Sequence, residues 1–268
     1  MAYGASQLLR LCGLLGVAAG WSQITASGSA PSARHAGVAV VDSSDRLWIY
    51  GGKDAVPADT AEVWRLDTVT PSWTQVSVTG SVPPARSYHT AVVDSNDVMW
   101  IFGGITCCST YYNAVFTLNT ATEVWAEVTA TGSSPTARQQ HTAVMDSSDR
   151  MWVFGGELSN TDLVNEVYFL DTLAENWAQV STSGIPPSPR VEHVAVMDSS
   201  NRMWIFGGAD ADGISGGLHV LDTVAATWTT VVAANTPDGR QSTQFVAGSA
   251  EIMWIWSGTN GASFLPGF

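Results

Sequence analysis

Charge is scarce in this chain. Only 13% of its 268 residues are charged, and Lys and Arg number 11 against 24 Asp and Glu. The net charge of −13 and the pI of about 4.5 argue against a large basic surface of the kind that holds nucleic acid or an anionic membrane. Cysteine is scarcer still: Cys12, Cys107 and Cys108 make neither a disulfide framework nor a C-x-x-C pair. That usage fits a reducing compartment. The adjacent Cys107 and Cys108 are too few ligands for a structural zinc site and read as two unpaired thiols in a loop, a redox or metal role being the alternative. G-x-S-x-G, P-loop and H-E-x-x-H motifs are all missing, so no catalytic residue, metal or cofactor is assigned. Scarce charge does not mean disorder here, because 45% of the residues are hydrophobic and 12 are Trp.

What the chain does have is one unit written repeatedly. The clearest copy runs from Arg86 to Val128: RSYHTAVVDSNDVMWIFGG, a variable insert, then VFTLNTATEVWAEV. The second glycine of a pair recurs at Gly52, Gly104, Gly156, Gly208 and Gly258, spaced by 52, 52, 52 and 50. Trp21, Trp73, Trp125, Trp177 and Trp228 keep the same period, as do Arg34, Arg86, Arg138, Arg190 and Arg240. A fixed period of about 50 residues means a solenoid, propeller or array.

Each unit reads as four short strands. His89 to Val93 is a small and β-branched run, followed by the turn cluster Asp94-Ser95-Asn96-Asp97. Met99 to Phe102 is apolar throughout, so both its faces must be covered. The glycine pair Gly103-Gly104 ends it, and Val115 to Leu118 and Trp125 to Val128 complete the set. Trp125 and Val128 point to opposite faces, because strand side chains alternate. A four-stranded sheet with two sticky faces buries neither alone. A ring of such sheets, each between two neighbours, buries both, and that is a β-propeller. Ala39, Ala91, Ala143 and Ala195 share one position of the first strand, where small residues suit the crowded lining of a central channel.

The runs HTAVV and MWIFGG, then VYFLDT and WAQV at 165–180, resemble the kelch repeat, and the P-x-A-R lead-in at Pro84 to Arg86 and Pro135 to Arg138 fits the same pattern. The resemblance covers nearly the whole chain and implies an all-β, kelch-type β-propeller over residues 1–268. Four full units span about 34–85, 86–137, 138–189 and 190–239. A composite blade, outer strands from about 11–33 and inner strands from 240–268, makes five blades in all. A piece of a six- or seven-bladed array, or of a larger multidomain protein, is the alternative.

Residues 1–20 allow two readings. Val17 and Ala19 follow a short apolar stretch too brief to span a membrane and could precede a signal-peptide cleavage point. Alternatively, Leu11 to Trp21 lines up without a gap on Leu218 to Trp228, as a third strand leading into a fourth at Trp21 to Ile24. The first reading makes the chain secreted, the second cytoplasmic.

Candidate sites follow from the repeat. His89, His141 and His193 look like three ligands about an axis, but a residue repeated blade after blade is read as packing. The Asp turns carry too few oxygens for calcium. Asp210 and Asp212, in the insert ADADGISGGL, come closer to a calcium loop but lack a bidentate acid. Each of Arg34, Arg86, Arg138, Arg190 and Arg240 precedes a first strand, so the five should surround one channel mouth, there either pairing between blades or holding an acidic peptide. The inserts after the glycine pairs differ while the rest repeats, and loops on a rigid scaffold commonly bind. Tyr111 and Tyr112 are their natural anchors. In kelch proteins this face carries partner binding, so the resemblance points to a non-enzymatic module for a protein or peptide, and a monomer is expected. A metal-dependent enzyme or calcium-assisted binder of the same fold is the rival.

Overall fold

A computed structural model describes residues 8–12, 20–54, 58–106, 109–232, 234, 237–247 and 253–265. Within them the four-strand unit occurs four times. Blade I is Val38–Val41, Arg46–Tyr50, Val63–Asp67 and Ser72–Gln75. Blade II is Thr90–Val93, Val98–Phe102, Val115–Asn119 and Val124–Val128. Blade III is Thr142–Met145, Arg150–Phe154, Val167–Asp171 and Asn176–Gln179. Blade IV is Val194–Met197, Arg202–Phe206, Leu218–Asp222 and Thr227–Val231. The four strands follow one another antiparallel across each sheet, in chain order from first to last. Successive first strands stand side by side, which sets the blades around a common axis. The fold is an all-β propeller, and the described residues include no helix.

The second strand shows why the blades need each other. Met99, Trp100, Ile101 and Phe102 are all buried. Met99 and Ile101 join Trp48 and Tyr50 of blade I in one core cluster. Trp100 and Phe102 join Met151, Val153 and Trp177 of blade III in the next. Alternation along a strand thus sends alternate side chains to opposite neighbours, and the pattern repeats one blade on, where Trp152 and Phe154 meet Met203, Ile205 and Trp228. At the end of the second strand of blades I, II and III an aromatic ring enters the next blade. Tyr50 lies 5.3 Å from His89 and 5.1 Å from Trp125, ring centre to ring centre. Phe102 lies 5.2 Å from His141 and 5.0 Å from Trp177, and Phe154 is 5.2 Å from His193 and 5.3 Å from Trp228.

Two further clasps tie the blades. The Asp turns close themselves and reach across. Asp42 accepts the N–H groups of Ser44 and Arg46, the Arg46 guanidinium and the Trp48 indole. Ser43 donates to Asp97 of the next turn, as Ser95 does to Asp149. At the rim, the segment leaving one blade adds a short parallel strand to the next. Thr79–Gly80 pairs with Val124 and Trp125, Thr131–Gly132 with Asn176 and Trp177, and Ser183–Gly184 with Thr227 and Trp228. These fifth strands extend the expected four-stranded sheets. A Cβ at Gly80 would lie 2.1 Å from the Trp125 carbonyl oxygen, so only glycine fits there.

The chain ends form two hairpins. Leu8–Cys12 pairs with Gly20–Ile24, placing Leu11 opposite Trp21 as Leu221 stands opposite Trp228. The gap-free alignment, which put Leu11 at the place of Leu218, is therefore displaced by three residues, because paired Leu11 and Trp21 stand farther apart in sequence than paired Leu221 and Trp228. Residues 1–7 and 13–19, on which the signal-peptide reading turns, lie outside the described residues, as do Cys107 and Cys108. Gln244–Ala247 pairs with Met253–Trp256 and lies beside the first strand of blade IV. A composite fifth blade would join the two hairpins. The described ladders leave each as a two-stranded sheet, and four blades are complete.

Trp125 is 1% exposed, and its ring takes up the Tyr50 side chain across the blade boundary. Trp125→Ala is expected to lower unfolding free energy by about 3–5 kcal/mol in urea titration. Leu173→Ala, at a residue 94% exposed, should change it by less than about 0.5 kcal/mol.

Candidate functional site

Between the last arginine-led segment and the first strand, every repeat places a two-residue lip at the axis. The outer residue of each lip bridges to the root of its insert: His35 to Lys53, Ser87 to Ile105, Gln139 to Glu157, Val191 to Ala209 and Gln241 to Thr259. The inner residues are Ala36, Tyr88, Gln140, Glu192 and Ser242. Their φ angles run from 52° to 56°, a left-handed conformation that costs a non-glycine residue of order 1–2 kcal/mol. A chain of backbone hydrogen bonds holds them. Tyr88 donates to the Ala36 carbonyl at 2.8 Å, Gln140 to Tyr88 at 3.1 Å, Glu192 to Gln140 at 3.4 Å and Ser242 to Glu192 at 3.2 Å.

The lips surround a cavity of about 480 Å³. Tyr88, Gln140, Glu192 and Ser242 form its rim, with His89, His141, His193 and Thr243 beneath. The space continues down the axis past Ala39, Ala91, Ala143 and Ala195, the four alanines read as channel-lining. It ends at an apolar mouth between Val41, Val93, Met145 and Met197. At the upper rim the Glu192 carboxylate accepts from Gln140 Nε2 at 3.0 Å and from Ser242 Oγ at 2.5 Å. Lys53 holds its ammonium 5.2 Å from the centre of the Tyr88 ring. Burial first, then the carboxylates of Glu192 and Asp59, hold the Tyr88 phenol above its usual range.

The three histidines are 4–5% exposed. His141 Nε2 shares a 2.9 Å hydrogen bond with Thr90 of the blade before, and His193 Nε2 does the same with Thr142. Blade I has Val38 at that strand position, and both nitrogens of His89 are left without a partner. Where blade IV has Val194 there, the following residue is Thr243 instead of a histidine. Burial, and then the neighbouring Arg86 or Arg190, depresses His89 and His193 to about 3, and His141 falls well below its usual value for the same reasons. They are neutral packing groups at the channel wall. Among the described residues no group of three or more His, Cys, Asp or Glu could hold a metal ion.

The five arginines stand behind the lips. Nη1 of Arg86, Arg138 and Arg190 donates to the carbonyl of Gly103, Gly155 and Gly207 at 3.0, 3.1 and 2.7 Å. Arg34 reaches Gly51 and Arg240 reaches Ser257 in the same way. Arg34 and Arg138 also pair with Glu62 and Glu166 at 2.6 and 2.7 Å, and Arg190 lies 3.7 Å from Asp210. None of the five lines the cavity. Tyr112 packs under the Arg86 guanidinium at 4.2 Å, and the Tyr111 hydroxyl accepts from Gln139 Nε2 at 3.2 Å, so this insert is tied to the lip of blade III. Asp210 accepts from Ser188 Oγ and from the Asp212 N–H within the tight hairpin Ala209–Asp210/Gly213–Ile214, while Asp212 stays exposed.

The lip position was not singled out from the sequence, although it leaves a signal there. Between a constant Arg two residues before and a mostly constant His one residue after, it reads Ala, Tyr, Gln, Glu, Ser.

A family model described as the KLHDC2/KLHL20/DRC7 Kelch-repeats domain matches residues 16–144 and 108–265. Among similar proteins, the Rab9 effector protein with kelch motifs of Bos taurus is 31% identical over 72% of this chain and 53% of its own length. Tip elongation aberrant protein 1 of Schizosaccharomyces pombe is 29% identical over 71% of this chain and 17% of its own. Acyl-CoA-binding domain-containing protein 4 of Arabidopsis thaliana is 26% identical over 84% and 34%. The chain thus spans between about a sixth and a half of the length of these relatives.

The depressed histidines give a pH dependence with a fixed sign. Unfolded, each titrates near the usual 6.5; folded, His89 and His193 titrate near 3. Between those values the unfolded chain binds more protons, so stability is full above about 6.5 and declines as pH falls toward 3. Asp42, Asp146 and Asp198 add to this only lower down. Burial raises them, but bonds from a tryptophan indole and an arginine outweigh it and hold them below 3.8. Urea midpoints are expected to fall from pH 7 to pH 4.5, and to fall less steeply in His89→Thr. Parallel slopes would contradict this.

Proposed function

The chain belongs to the kelch-repeat family, and from there we propose that it is a non-enzymatic interaction module reading a protein partner with its lip ring and neighbouring inserts. Its relatives make protein interaction the broad class; one of them is named as a Rab9 effector, and only the broader property is carried to this chain. The observation that carries the finer reading is the lip position. Arginine, histidine, glycine and tryptophan repeat because they hold blade to blade. The lip position, whose residue type does not repeat, holds Ala36, Tyr88, Gln140, Glu192 and Ser242 around an open cavity. Diversity on an ordered backbone is what a recognition surface needs. The insert carrying Tyr111 and Tyr112 forms a shoulder to that mouth, and aromatic residues there suit an anchoring role.

A quantitative capture experiment tests this. The full chain is the bait, compared with a Tyr88→Ala, Gln140→Ala double variant and with a chain whose residues 105–114 are replaced. The expected outcome is that the same reproducible partners are lost from both variants while their thermal unfolding matches wild type. Equal capture by all three baits would overturn the proposal.

A further inference from the structure

We infer that the upper axial mouth is a socket for a cationic side chain, a lysine or arginine of the partner protein. This deepens the reading of the mouth as the partner site and rests on it. The cavity lining contains one carboxylate, Glu192, and neither a lysine nor an arginine. Lys53 stands outside the lining, over the Tyr88 ring, and the repeat arginines turn their Nη1 groups onto the glycine-pair carbonyls of Gly51, Gly103, Gly155 and Gly207. An acidic ligand at this mouth would meet Glu192 and no arginine in the lining, which argues against the acidic peptide considered from the arginine spacing.

Acceptor capacity remains at the mouth. Glu192 takes one hydrogen bond on each oxygen, from Gln140 and Ser242, and an ionised carboxylate has about four acceptor sites. Those two neighbours orient it at the rim and leave it capacity. Gln140 uses its amide donor on Glu192, and its amide oxygen remains an acceptor. Below the rim, His89 is 5% exposed and neither of its nitrogens has a partner among the described residues, yet it lines both the mouth and the space beneath. A neutral imidazole offers one acceptor nitrogen, so an incoming ammonium or guanidinium would give His89 a partner that the described residues do not supply. Tyr88 supplies a ring beside the carboxylate, and it already attracts an ammonium, that of Lys53. A chain with a net charge of −13 also draws a basic segment toward it from a distance.

The test uses the full chain and a library of heptapeptides with acetylated N-termini and amidated C-termini, so that side chains alone carry charge. Retained peptides are ranked by fluorescence anisotropy. The expected result is Lys or Arg at one fixed position over Glu by about tenfold or more. That preference should shrink about tenfold in Glu192→Gln and on acetylating the peptide lysine, and the affinity should fall between 50 and 300 mM salt. Thermal unfolding of Glu192→Gln at the wild-type temperature guards against a folding artefact. A preference for acidic or uncharged peptides, a cation preference unchanged in Glu192→Gln, or no retained peptide would overturn the inference. If uncharged or acidic peptides are retained and lost in Tyr88→Ala, the cation socket falls while the mouth as partner site stands. If retention ignores Tyr88→Ala, both fall.

Discussion

Blades I, II and III each push one aromatic ring into the next, between a histidine and a tryptophan, and the rest of the molecule is arranged to let that happen. Tyr50, Phe102 and Phe154 are 0% exposed, and each sits within about 5 Å of both partners in the following blade. The contact explains the glycine pair that ends the second strand. A Cβ on Gly103 would lie 2.7 Å from His141 Cε1 and 2.8 Å from the Arg138 carbonyl oxygen. The next blade comes too close for any side chain, and φ there is +69°. Arginine, glycine and histidine are thus one device: the arginine bonds the glycine carbonyl of its own repeat, while its backbone and the histidine close on the glycine of the repeat before.

Function enters where that device leaves off. The segment between the arginine and the histidine must cross the axis in a left-handed conformation, and the hydrogen bonds between successive lips fix it there. Backbone geometry makes no demand on the side chain beyond tolerating that φ, so the side chain is free to differ. The result is a ring of unlike groups on like backbones. The inserts, rooted at the outer lip residues, extend the same face outward.

Much of this was legible in the sequence because interblade packing is periodic. The period of 52, the four strands, the covered second strand and the small channel-lining residues all follow from which residue types recur. Other features escaped for physical reasons. Thr79–Gly80 is only two residues long and carries no alternation, so a parallel edge strand leaves no pattern. The arginines recur as a ring, but residue type alone does not say whether a guanidinium faces the mouth or a carbonyl behind it. Leu11 slipped by three because the paired leucine and tryptophan stand farther apart in sequence there than at Leu221 and Trp228. The lip position was masked by its own variability, since a search for repetition passes over the residue that does not repeat.

The central claim is that interblade contacts hold the lips rigid, so that the axis presents a preformed surface. Native-state hydrogen exchange measures this at single residues. The amide groups of Tyr88, Gln140, Glu192 and Ser242, each bonded to the lip before it, should exchange as slowly as those in the second strands, through opening of the whole propeller. Exchange at the rate of exposed loops, with the second strands still protected, would show that the lips move independently and would contradict the account.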